Sequence, residues 1–291
     1  MMLGLRLQFL GLRLPAARAS VASQATEGAE KAATETGLCT EGGARVEDFS
    51  MHRVEDCKQI LFVRHAEGTH NRDHRELPPE EWNTLTETMT YWDAPLTAAG
   101  IAQCDSLRRT VATLPVVDLV VVSPLRRAIQ TAALGFGVEG FQANIMNATA
   151  AAAAAAGTTT GADQPVVAPV PFIATELCRE RISRHTCDGR RNRSIIASDF
   201  PFVDLSLVTS EEDHLWEAKE ILPSEQNAEA CSRRALHFLE WLMQRPEKRI
   251  GVVSHWVFYT HLFALFPDET LKDKFGNAEL REVSLCQRPH R

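Results

Sequence analysis

Residues 59–71 read QILFVRHAEGTHN, and the choice of fold rests on them. The first half, Gln59–Val63, is a short apolar run with β-branched and aromatic residues. It is long enough for a buried strand and too short for a typical helix. The second half turns polar at once, with an arginine, two histidines, a glycine and an asparagine. Two further runs have the same character, Val116–Ser123 (VVDLVVVS) and Ile250–Ser254 (IGVVS). Val166–Ile173 is broken by prolines and reads as an edge or irregular strand, and Leu280–Leu285 as one more. Near-continuous apolar strands imply a sheet covered on both faces.

Helical patterns lie between these runs. Thr97 is placed to N-cap a helix over 98–114, with Ile101, Leu107, Val111 and Leu114 on one side. Pro124 opens a second helix through about Leu134, a position proline tolerates. In Glu225–Gln244, Ala228, Cys231, Ala235, Phe238, Leu239 and Leu242 recur at three- and four-residue spacing. Trp256–Phe266 reads as a buried helix. Strands alternating with helices predict an α/β fold, a three-layer α/β/α sandwich with a mostly parallel sheet. Ligands of such sheets bind beyond the carboxyl ends of the strands.

The 291 residues are 44% hydrophobic and 24% charged, which suits a folded core and excludes collagenous, disulfide-scaffold and wholly disordered chains. A net charge of -7 argues against broad nucleic-acid binding. No stretch approaches the ~18 uninterrupted apolar residues of a membrane span, so no membrane partner is expected. The seven cysteines form no C-x-x-C pair, and free thiols in a reducing compartment are expected. Residues 1–26 carry Arg6, Arg13 and Arg18 among leucines, alanines and serines, with no acid before Glu27. That is the composition of a mitochondrial or plastid transit peptide; without such targeting the protein would be cytoplasmic. Residues 27–50 read as a disordered linker, leaving one domain over 51–291. The Ala/Thr/Gly tract at 148–162 reads as a surface insertion in that domain.

The residues after each predicted strand carry the chemistry. Gln59–Val63 is followed by Arg64-His65-Ala66-Glu67-Gly68-Thr69-His70-Asn71. Val116–Val122 is followed by Ser123-Pro124-Leu125-Arg126-Arg127-Ala128, and the third run by His255. The mouth of the sheet would collect arginines and histidines and be positive in a protein that is negative overall. Guanidinium forks match phosphate oxygens, and a glycine lets backbone N–H groups approach an anion. A neutral imidazole in such a pocket can attack phosphorus. Neighbouring arginines disfavour its protonation.

These strings resemble the signature of the histidine phosphatase (phosphoglycerate mutase-like) superfamily. Besides R-H-A-E-G-x-x-N, the chain has Asp93, Pro95, Leu96, Thr97, Gly100 and Gln103 as D-x-P-L-T-x-x-G-x-x-Q, then S-x-L-x-R-A-x-Q-T-A from Ser123 to Ala132. Glu-Leu-Cys-Arg-Glu at 176–180 and V-V-S-H at 252–255 complete the series. The acidic segment, the following Arg-His-Thr-Cys-Asp-Gly-Arg-Arg and a late Asn-Ala-Glu-Leu-Arg resemble plant-type phosphoglycerate mutase-like proteins.

The resemblance implies a phosphomonoesterase that works through a phosphohistidine, with a small phosphorylated substrate and neither metal nor cofactor. It implies His65 as the nucleophile and Arg64, Asn71, Arg127 and His255 as the phosphate-binding set. Glu180 is the acid and base of choice, with Glu176 as the alternative. Arg190, Arg191 and Arg193 are candidates for a second anionic group of the substrate. His70 and His74, spaced i, i+4, lack a third ligand and are not read as a metal pair. Nothing marks Cys178 or Cys187 as a nucleophile. Phosphoglycerate mutases carry R-H-G-x-S-x-W-N and a long L-N-E-R-H-Y-G segment. Neither is present, so mutase activity is the alternative reading. A non-catalytic phosphate-binding protein is the other, because Trp256, directly after His255, stands to narrow the pocket.

Overall fold

The computed structural model describes residues 7–9, 57–141, 167–217 and 224–287. The stretch read as a linker, the 148–162 tract read as an insertion and most of residues 1–26, read as a transit peptide, lie outside the described residues. Seven strands form one sheet: β1 (Leu7–Phe9), β2 (Cys57–Arg64), β3 (Leu119–Val122), β4 (Phe172–Thr175), β5 (Val203–Leu207), β6 (Arg249–Ser254) and β7 (Leu280–Gln287). Their order is β1-β7-β2-β6-β3-β4-β5. From β2 to β5 every pairing is parallel; β7 runs antiparallel to β2, and β1 antiparallel to β7. The strand β1 falls inside the stretch read as an address and adds three residues to the sheet edge.

Alternate residues of each strand feed opposite cores, as the period-two pleat requires. Leu61, Val63, Val120, Val122 and Val253 face α3 (Ala98–Ala112) and α4 (Arg126–Gly135). Ile60, Phe62, Leu119, Val121, Ile250 and Val252 face α7 (Ser224–Gln244) and α8 (Trp256–Phe263). Both faces are covered, as the apolar runs required, and the three-layer sandwich is the one expected. Thr97 caps α3, its hydroxyl accepting from Gly100 N at 2.9 Å.

Five elements carry little sequence signal: α1 (Thr69–Glu76), α2 (Pro79–Thr86), α5 (Arg193–Asp199), the single turn α6 (His214–Glu217) and β5. Only His70 is buried on α1, so it has no apolar stripe. The edge strand β5 buries only Val203 and Leu205.

The expectation of free thiols is corrected at one pair. Cys57 and Cys286 stand directly opposite each other on β2 and β7 and are joined by a disulfide. They are 229 residues apart in the chain, so only the sheet register brings them together. Cys104, Cys178, Cys187 and Cys231 are free and buried.

Candidate active site

The carboxyl ends of β2, β3 and β6 deliver His65, Ser123 and His255 to one place. His65 N donates to Ser254 O at 2.8 Å, so the turns after β2 and β6 leave the sheet already joined. The His65 side chain is 2% exposed. Its Nδ1 lies 2.7 Å from the Ala66 carbonyl, which can only accept, so the proton of the neutral ring sits there. That leaves a lone pair on Nε2, which Arg127 Nε approaches at 3.3 Å. Burial first, then the charges of Arg127 and Arg64, push the imidazole's pKa well below its ordinary value.

The other predicted residues gather around this ring. Arg127 enters from the first turn of α4 and is anchored by Nη1 to Cys187 O at 2.7 Å. Arg64 Nη1 donates to Phe275 O at 2.8 Å, while its buried Nε has no partner. The His255 ring lies 5.0 Å from that of His65. Its Nε2 meets Ser123 Oγ at 2.8 Å, and its buried Nδ1 has no partner. Asn71 Oδ1 accepts from Gly68 N at 3.0 Å, which leaves the amide nitrogen as a donor. Orphaned buried polar atoms cost free energy. Two of them around one ring mark a place shaped for an anion.

Glu180 reaches the same cavity, which has a volume of about 900 Å3. Its Oε1 accepts from Arg181 N and from Phe258 N, each at 2.8 Å, so the carboxyl sits at the amino end of α8. Burial and the charge of Asp188 raise its pKa above the ordinary carboxylic value. Glu176 is spent elsewhere, accepting from Arg179 at 3.0 Å and from Arg190 at 2.6 Å. Of the two acids, only Glu180 lines the cavity. Trp256 forms part of the wall, as expected of an indole after His255.

A histidine phosphatase superfamily (branch 1) family model matches residues 60–147. A "Phosphoglycerate mutase-like protein" of Arabidopsis thaliana is 34% identical over 260 residues, covering 83% of this chain and 89% of its own length. A second one, "Phosphoglycerate mutase-like protein 1", is 36% identical over 258 residues, covering 85% and 87%. The chain belongs to the histidine phosphatase superfamily. Among solved structures, a putative alpha-ribazole-5'-P phosphatase from Escherichia coli is 18% identical with a TM-score of 0.43, covering 79% of this chain and 94% of that one. That likeness is too remote to bear on substrate.

The histidine phosphatase motif at 93–103 does its work through the backbone of the nucleophile loop. Glu67 N donates to Gln103 Oε1 at 2.9 Å, and Thr97 N to Glu67 O at 2.9 Å. Ala66 N donates to Thr131 Oγ1 at 2.9 Å. A Cβ at Gly100 would stand 2.2 Å from Glu67 O, so only glycine lets α3 pack this close to the loop. Asp93, at φ 46°, accepts from Arg126 N and pairs with Arg191 at 3.0 Å.

Beneath the Glu180 loop lies an ion network that the sequence did not announce. Arg179, fully buried, forms a two-pronged pair with Asp213 at 2.6 and 2.8 Å. Arg234 Nη1 donates to the carbonyl of Arg179 and Nη2 to that of Glu180. Arg190 is buried too and spends itself on Glu176 and on the carbonyls of Ser210, Glu211 and Glu212. The basic run 190–193 therefore does not supply a second anion contact from Arg190. Arg191 is held by Asp93 and Asp199, and Arg193 Nε by the Leu205 carbonyl. Glu212, His214 and Glu217 form an exposed cluster away from the cavity. His74 of the i, i+4 pair turns its ring against Trp82 at 4.9 Å.

Proposed function

We propose that this histidine phosphatase is a metal-independent phosphomonoesterase acting through a phosphohistidine at His65 on a small anionic phosphate ester. The observation that carries the reading is the state of His65. One nitrogen is tied to a carbonyl, while the other keeps its lone pair, met by Arg127 Nε at 3.3 Å. Substrate phosphate enters among Arg64, Arg127, Asn71 and His255, whose donors replace its water. His65 Nε2 attacks phosphorus in line. The ester P–O bond breaks, and Glu180 gives its proton to the leaving oxygen. The carboxylate so formed takes a proton from water, which attacks the phosphohistidine. The N–P bond breaks, phosphate leaves and Glu180 is again an acid.

The test is phosphate release from a panel of small esters in the presence of EDTA, with a radiolabelled ester quenched in alkali to trap the intermediate. Release together with label on His65 supports the reading. Isomer formation without release, dependent on a bisphosphorylated primer, would make the protein a mutase. Binding without either would make it a phosphate-binding protein.

A pH profile follows from the two shifted groups. His65 must be neutral, and its lowered pKa keeps it so until well below pH 6.5; activity falls only as pH drops through that value. Glu180 must be protonated for the first step, and its raised pKa extends that form upward; activity then falls as pH rises through it. The optimum of kcat/KM is thus expected on the acidic side. Glu180→Gln should lower kcat by roughly 10²–10⁴-fold and erase the alkaline limb. An unchanged alkaline limb in that variant would move the acid role elsewhere.

A further inference from the structure

We propose that His70 is a phosphate-binding residue of this site, donating from Nε2 to a non-bridging oxygen of the bound phosphoryl group. The inference rests on the reading of the cavity as a phosphate site and adds a residue to it. His70 is the one fully buried residue of α1, and its side chain lines the cavity. It is 7% exposed, yet its Nδ1 has no hydrogen-bond partner. A proton buried on Nδ1 would have no acceptor and would be costly there. With no acceptor at Nδ1, the proton of the neutral ring belongs on Nε2.

The loop is shaped to hold the ring there. A Cβ on residue 68 would meet His70 Cε1 and Nδ1 at 2.9 Å, so Gly68 vacates the space the imidazole fills. The ring centroid lies 5.8 Å from that of His65, tilted by 39°. That separation suits two rings on one phosphoryl group, His65 facing the phosphorus and His70 one of the oxygens. Burial, Arg127 and Arg64 keep His70 neutral in the free protein, so it offers one N–H and no competing charge.

The experiment measures binding of inorganic phosphate by calorimetry, apart from turnover. It compares wild type with His70→Leu, His70→Gln, His70→Asn and Arg127→Met. His70→Leu should weaken phosphate binding roughly ten- to a hundredfold, the usual worth of a hydrogen bond to a charged group. His70→Gln, whose amide nitrogen falls near the place of Nε2, should recover most of that loss, and His70→Asn should not. The thermal midpoint of His70→Leu without phosphate should match or exceed wild type, because an apolar side chain replaces an orphaned ring. Equal affinity in wild type and His70→Leu overturns the inference, as does His70→Gln binding no better than His70→Leu. If Arg127→Met loses phosphate while His70→Leu keeps it, only His70 is excluded. If wild type binds no phosphate, the proposed function falls with it.

Discussion

His65→Ala should abolish phosphate release, with a loss on the order of 10⁴-fold or more in kcat. The size follows from what the ring does in the proposed cycle. In that cycle it alone forms a bond to phosphorus. His255 keeps its Nε2 on Ser123, and Cys187 has its thiol pushed well above the ordinary range by burial and by Asp188. Arg64 is anchored on Phe275 O, and Arg127 keeps its bond to Cys187 O when the His65 ring is lost, so the variant should still bind inorganic phosphate. Steady-state release with parallel phosphate calorimetry checks both halves. Turnover at the wild-type rate would end the phosphohistidine mechanism.

Reduction of the Cys57–Cys286 bond should lower the free energy of unfolding by about 5 kcal/mol in the chain-entropy account. The bond closes a loop of 229 residues, nearly the whole described domain, and loop entropy grows with length. Cys57→Ser and Cys286→Ser should each show the full loss, and the double variant no more than either. Denaturant melts with and without reductant read this directly. A midpoint that ignores reductant would show that the bond does not form in solution. Activity of the reduced protein should persist below its melting point, because the bond lies at the start of β2 and His65 beyond its end.

Much of the site was legible because each motif is a contiguous string directly after an apolar strand. His65, Arg127 and His255 could be placed together once β2, β3 and β6 were read as parallel neighbours. Glu180 could be named from its string, but its advantage over Glu176 needed the structure. Both are acids of one loop, and only the arginines around Glu176 separate them. Asp213 and Arg234 were invisible because buried ion pairs join residues without local spacing; Arg179 and Asp213 are 34 positions apart. Arg190 misled for a related reason, since a basic run reads the same whether it faces water or a shell of carbonyls. The helix α1 escaped notice because its one fully buried residue is a histidine. The disulfide is a fact of register, and register is not a property of either cysteine's own sequence.

The pairing of β2 with β7 has a further meaning for how the chain is threaded. The strands β2 and β7, which open and close residues 57–287, lie side by side, with Cys57 opposite Cys286 at a Cα separation of 4.0 Å. The polypeptide from 57 to 286 is therefore a closed circuit, and a circuit has no privileged starting point. Which strand is made first is an accident of where the gene begins. The parallel neighbours that bring His65, Arg127 and His255 together follow from strand register and not from the order in which the strands are made.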